Sequence, residues 1–136
     1  MPTHTLPIVG MFHHPPAPLL VECLGIGTPL FLLAEPDNQF DPNAVAVYLE
    51  SHNIPQAAHE KLEHEAPRFG QSLDSILGQD QWMLGYIPRA MAAILRETET
   101  VVPNVPVDVT FATNPEGKPR VRRDEPFPIE INSRGG

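Results

Sequence analysis

The sequence predicts a mainly β fold, a small barrel or curled sheet of six or seven short strands. One well-marked α-helix and a partly helical insertion accompany it. Three observations carry this expectation. There are 17 prolines among 136 residues, and proline fits neither helix interiors nor central strands. Apolar residues come in short, turn-bounded runs with period-2 alternation, as in 44–49 and 104–112. Outside the stretch 51–80, helical spacing is sustained only over 88–97. The length supports one domain with a modest core.

In chain order, Leu6 to Phe12 reads as a first strand, with β-branched Ile8 and Val9 and a bulge-forming Gly10. His13 to Pro18 is an extended, proline-rich connector, followed by a short apolar run from Leu19 to Leu24. Leu30 to Glu35 is a buried strand. Residues 36–43 are crowded with Asp, Asn and Pro, which favour turns. Ala44 to Leu49 resumes as a strand. Within 51–80, Pro55 to Ala66 is polar and helix-friendly, with Ala57, Ala58, Leu62 and Ala66 its apolar residues. Leu73, Ile76 and Leu77 suggest a second short helix ending at Gly78. This stretch is expected to pack on the surface as a partly mobile insertion. Gln81 to Ile87 is a strand, and Pro88 is expected at the first helical position, where its missing N–H costs nothing. The helix then runs to about Glu97, with Met91, Ile94 and Leu95 at helical spacing. Asn104 to Ala112, the turn Asn114 to Gly117, Arg120 to Arg123 and Phe127 to Ile131 complete a meander, the last run closing the sheet or covering an edge. Residues 1–132 thus form one domain, and 133–136 a disordered tail.

Composition narrows the function. The longest apolar run is a strand's worth, too short to span a membrane, and the N-terminus lacks the charged and apolar regions of a secretory signal. The single cysteine, Cys23, excludes an internal disulfide and a Cys-rich zinc site. A reduced, cytoplasmic protein is expected. The net charge of −8 opposes broad, non-specific binding to nucleic acid. The charge is uneven, however. Residues 1–80 carry two basic residues, Lys61 and Arg68, against ten acidic ones, whereas 81–136 carry seven of each. A local basic face is therefore compatible with the acidic whole.

Catalytic patterns are weak. His59, Glu60 and His64 resemble a zinc-protease helix, but that motif needs histidines four apart. Here they are five apart, about 140° round a helix, so a solvated helix face is the favoured interpretation. His13 and His14 are adjacent and would point to opposite sides of a strand. Gly25 and Gly27 lack the third glycine and following lysine of a phosphate cradle. No cofactor, metal or catalytic residue is predicted.

The segment 35–47 is more informative. Asn38, Gln39, Phe40 and Asp41 set an aromatic ring among hydrogen-bonding groups at the mouth of two strands. The plainer alternatives are a ring folded back as a plug and Asp/Asn side chains bonding their own turn. Gly85-Tyr86-Ile87-Pro88-Arg89 joins a strand to a helix N-terminus, whose unpaired N–H groups and partial positive charge can seat a phosphate. A half-buried Tyr86 and a solvated Arg89 are the alternative there.

Together, Glu35-Pro36-Asp37-Asn38-Gln39-Phe40-Asp41-Pro42-Asn43-Ala44-Val45-Ala46-Val47 and Leu84-Gly85-Tyr86-Ile87-Pro88-Arg89 resemble the HIRAN domain family, over roughly residues 5 to 98 and interrupted by 51–80. The resemblance implies an OB-like β-barrel that captures the 3′ end of single-stranded DNA. It implies that Asp41 accepts a hydrogen bond from the terminal 3′-hydroxyl, Phe40 stacks on a terminal base and Asn38 forms a polar wall. Tyr86 and Arg89 would meet base or phosphate. Where DNA-binding relatives show an Arg and aromatics just after the first-strand glycine, this chain has Met11, Phe12, His13 and His14, of which Phe12 and His13 are counted among the candidate nucleic-acid-binding residues. The functional expectation is a non-enzymatic module for 3′-hydroxyl ends in repair or replication-fork processing, with a helicase or ATPase as possible partner. The alternatives are a protein-interaction domain that keeps the barrel without DNA binding and, more weakly, a metal-dependent hydrolase using His59, Glu60, Glu63 and His64.

Overall fold

The structure, a computed structural model, describes residues 3–9, 17, 20, 24, 28–111 and 127–132. Six strands form one antiparallel sheet: β1 (Thr3–Ile8), β2 (Pro29–Ala34), β3 (Val45–Glu50), β4 (Gln81–Tyr86), β5 (Val107–Phe111) and β6 (Phe127–Asn132). Their spatial order is β1-β6-β5-β2-β3-β4. Among the described residues, three α-helices with both ends placed lie between them: α1 (His59–Glu65), α2 (Leu73–Gly78) and α3 (Arg89–Glu97).

Strand propensity and burial agree in the centre of the sheet. In β2, Leu30, Leu32 and Ala34 are buried while Phe31 and Leu33 are only partly so, the alternation of a strand with one core face. Its partner β3 buries Val45, Ala46, Val47 and Leu49, as befits a strand flanked by β2 and β4. The β3–β4 register shifts between Val47 and Tyr48, where Val47 faces Gly85 and Tyr48 faces Met83. The extra residue bends the end of β4 that carries Tyr86.

The expected closed barrel is replaced by an open sheet. No β1–β4 ladder closes it among the described residues. The two edge strands meet instead at one isolated bridge, in which Val9 and Tyr86 exchange backbone hydrogen bonds of 2.8 and 2.9 Å. β6, expected at an edge or as a closing strand, lies inside the sheet between β1 and β5. Its proline is tolerated there because β5 pairs only with Ile129, Glu130 and Ile131. Pro128 lies beyond that overlap, opposite Pro7 of β1.

The stretch 51–80 is not a surface appendage. Ile54, Ala58, Leu62, Ala66 and Ile76 are buried in the same hydrophobic cluster as Leu32, Val47 and Leu84. Ala58, Leu62 and Ala66 recur every four residues, which puts them on one helical stripe. Ser51 is buried and its hydroxyl donates to the carbonyls of Ile76 (3.2 Å) and Gln79. The Trp82 indole N–H donates to the Ile76 carbonyl at 3.0 Å. These bonds tie α2 to the ends of β3 and β4, since a buried polar group left unpaired would be costly.

In α3, Pro88 is the residue preceding the helix rather than its first position. The helix turns Ala92 fully inward and half-buries Leu95, whereas Met91 and Ile94 are exposed. Val105, expected on a strand face, precedes β5 and is exposed. The turn 114–117, Arg120 to Arg123 and the tail lie outside the described residues, as do Phe12, His13, His14 and Cys23.

Candidate functional site

The loop between β2 and β3 is closed at its base by the Glu35 N–H donating to the Ala44 carbonyl at 2.9 Å. Inside it, the Asn38 N–H donates to the Glu35 carbonyl and the Ala44 N–H to the Asp41 carbonyl, both at 3.0 Å. Side chains complete the frame. Asn38 Oδ1 accepts from the backbone N–H groups of Phe40 (2.9 Å) and Asp41 (3.0 Å). Asp41 Oδ1 accepts from the Asn43 N–H at 2.9 Å. Both are the local side-chain-to-backbone bonds expected of Asx turns. In this frame the Phe40 side chain is not packed against the described residues: it is 90% exposed. Among those residues it does not fold back as a plug.

A second layer of contacts fixes the loop to β4 and α3. The Tyr86 hydroxyl donates to Glu35 Oε1 at 2.8 Å, and Asn38 Nδ2 donates to the same oxygen at 3.0 Å. Partial burial of the phenol, with the Glu35 carboxylate beside it as acceptor and negative charge, pushes the Tyr86 pKa up to about 12. Tyr48 is raised in the same direction, by burial first and by Glu35 second. Its ring stacks on Phe31 with centroids 5.3 Å apart.

From α3, Arg89 Nε lies 3.8 Å from Asp41 Oδ2, and the Arg96 guanidinium donates to the Pro42 carbonyl at 3.0 Å. The Arg89–Asp41 pair is loose, and with the Arg89 side chain 81% exposed it adds little stability. It leaves the Arg89 guanidinium facing solvent beside the loop. The described Lys and Arg residues are Lys61, Arg68, Arg89 and Arg96. Two of these four adjoin the loop, which itself carries the carboxylates of Glu35, Asp37 and Asp41, so positive and negative groups alternate there and the described residues form no net basic face.

The structure therefore brings together Asn38, Phe40, Asp41, Tyr86 and Arg89 at one end of the sheet. Phe12 and His13 lie outside the described residues. The sequence reading assigned no role to Glu35 and overlooked Arg96. A signal for Arg96 was present: it follows Arg89 by seven residues, about two helical turns, and so shares its face. Glu35 carried no comparable signal, because its partner Tyr86 is remote in sequence. Elsewhere, no group of three or more His, Cys, Asp or Glu side chains among the described residues is placed to hold a metal ion. A cavity of about 520 Å³ lies at the opposite ends of β3 and β4, lined in part by His52, Gln56, His59 and Asp80.

Fold and loop together define a small, mainly β module that carries a hydrogen-bonded polar loop at one end of an antiparallel sheet. Among the described residues no helix is long and apolar enough to cross a membrane. The sequence matches the family model of the HIRAN domain over residues 3–98, and the chain belongs to that family, which is associated with nucleic-acid binding. No match was found among curated proteins or among solved structures. The matched span contains the whole loop, β4 and α3, together with the stretch 51–80.

Proposed function

We propose that the protein is a non-enzymatic module that binds the 3′-hydroxyl end of single-stranded DNA at the 35–44 loop. The observation that carries this proposal is the exposed Phe40 ring, next in the chain to Asp41, on a loop whose backbone at both residues is bonded by Asn38. Stacking of a terminal base on such a ring contributes about 1–3 kcal/mol and tolerates any base. Asp41 spends Oδ1 on the Asn43 N–H, while Oδ2 lies only at ion-pair distance from Arg89. Oδ2 therefore retains acceptor capacity for a hydroxyl donor. Arg89 and the N–H groups at the start of α3 supply the positive potential for the adjoining phosphate.

A carboxylate at this position discriminates. A 3′-hydroxyl donates to it, whereas a 3′-phosphate sets negative charge against negative charge and is rejected. The Val9–Tyr86 bridge supports a sheet curled toward the barrel shape that such a rim would need. In this role the protein acts in the cytoplasm, in repair or replication-fork processing, beside a helicase or ATPase partner. The net charge of −8 makes its affinity modest and salt-sensitive.

Fluorescence polarisation at low salt tests the proposal with three probes: a single strand ending in a 3′-hydroxyl, the same strand ending in a 3′-phosphate, and a blunt duplex. The 3′-hydroxyl strand alone should bind, and Asp41→Ala should abolish binding. Equal affinity for all three refutes the end-specific pocket. A protein-interaction role is the second reading, favoured by the solvent-facing Met91 and Ile94 on α3; loss of a partner protein on replacing both, with no DNA binding, would establish it.

A further inference from the structure

Glu35 terminates β2 at the base of the loop and takes part in its structure at three atoms. Its backbone N–H bonds the Ala44 carbonyl and its own carbonyl accepts from the Asn38 N–H. Its side-chain Oε1 receives both the Tyr86 hydroxyl and Asn38 Nδ2. An ionised carboxylate is acceptor-only, whereas an asparagine amide has a donor end and an acceptor end. A carboxylate facing one end of Asn38 therefore dictates which end that is. With Nδ2 held by Glu35, Oδ1 must face the N–H groups of Phe40 and Asp41, where it is found.

We infer that Glu35 is the positioning residue of the loop: its carboxylate orients the Asn38 amide, which in turn sets the Phe40 ring and the Asp41 carboxylate, and Tyr86 anchors the whole to β4. Glu35 touches no ligand in this arrangement and acts through Asn38. The consequence for binding rests on the DNA-end reading of the loop; the consequence for loop order does not.

The test compares Glu35→Ala, Glu35→Gln and Tyr86→Phe in the full chain. One readout is amide hydrogen exchange at Phe40 and Asp41, with the Val47 amide in β3 as a control for folding. The other is affinity for the 3′-hydroxyl single strand. Glu35→Ala should speed exchange at both loop amides about tenfold and weaken binding about tenfold, with Val47 unchanged. Glu35→Gln keeps a carbonyl acceptor that can take both donors, so it should restore both readouts to within about twofold. Tyr86→Phe should move them in the same direction as Glu35→Ala but less. Unchanged exchange in Glu35→Ala would overturn the inference, and so would a Gln variant that behaves like Ala. If the unmodified protein binds no oligonucleotide, the DNA-end proposal falls while the exchange data still decide the role of Glu35.

Discussion

The two ends of β3 and β4 are held by different physics. At one end, the stretch 51–80 sinks Leu62 and Ile76 completely into the core and caps the strand ends through Ser51 and Trp82. At the other, the 35–44 loop buries no large apolar side chain and is ordered by hydrogen bonds to Asn38, Asp41 and Glu35. Apolar burial supplies most of a small domain's stability. Polar framing can hold a loop in shape while leaving an aromatic ring in water. The contrast separates a stability end from the end that carries the proposed site, and substitutions at the two should have separable effects.

The largest effect is expected at the first end. Leu62→Ala removes a fully buried side chain and should cost about 2–5 kcal/mol, read as a lower midpoint in urea unfolding. Retention of full stability would show that 51–80 is a dispensable appendage after all. Ser51→Ala removes a buried hydroxyl that donates to the carbonyls of Ile76 and Gln79. It should cost about 1–3 kcal/mol by the same measurement, less than Leu62→Ala because the Trp82 indole still serves Ile76.

At the second end the pattern inverts. Phe40→Ala removes a ring that touches little in the protein, so stability should stay within about 0.5 kcal/mol. Affinity for a 3′-hydroxyl strand should fall by the stacking contribution, about 1–3 kcal/mol. A substantial loss of stability would mean that the ring packs in solution, and the separation of the two ends would fail. Salt dependence sharpens the same point more gently. Arg96→Ala should flatten the slope of log affinity against log salt by about 0.7 if its guanidinium meets one phosphate of a single strand. An unchanged slope would restrict Arg96 to holding Pro42.

This division also explains what the residues disclosed in advance. β2, β3, β4 and α3 were legible because alternation and helical spacing are local signals. The loop was legible because Asn and Asp in a turn bond their own backbone, as Asn38 and Asp41 do. The role of 51–80 was underestimated although Ala58, Leu62 and Ala66 displayed a stripe, because three apolar residues among many charges do not reveal what lies opposite them. Glu35 was missed for a different reason. Its side-chain bond to Tyr86 spans 51 positions, and only the fold brings such partners together. The open sheet was likewise beyond local patterning, since closure depends on how β1 meets β4.

The smallest expected effect is a titration of Tyr86, whose phenol is partly buried and bonded to Glu35 where the loop meets β4. The Tyr86 phenol ionises near pH 10 in an unfolded chain but only at about 12 when folded. The folded state therefore holds its proton more tightly. Below pH 10 the phenol is neutral in both states, and the stabilisation from its bond to Glu35 is fully present. Between pH 10 and 12 the unfolded chain gives up the proton first, which draws the equilibrium toward unfolding, and the contribution disappears as pH passes the folded value. Tyr86→Phe lacks this dependence. The stability difference between the unmodified protein and Tyr86→Phe should thus be constant from neutral pH to about 10 and shrink above it, while the background from Tyr48 and the lysines largely cancels in the subtraction. Because Tyr86 is only partly buried, solvent screening keeps the change small, and paired urea titrations at several pH values are needed to see it. A difference that stays constant through pH 12 would mean that the phenol is neither buried nor bonded to the Glu35 carboxylate in solution, and the side-chain tie between the loop and β4 would be absent.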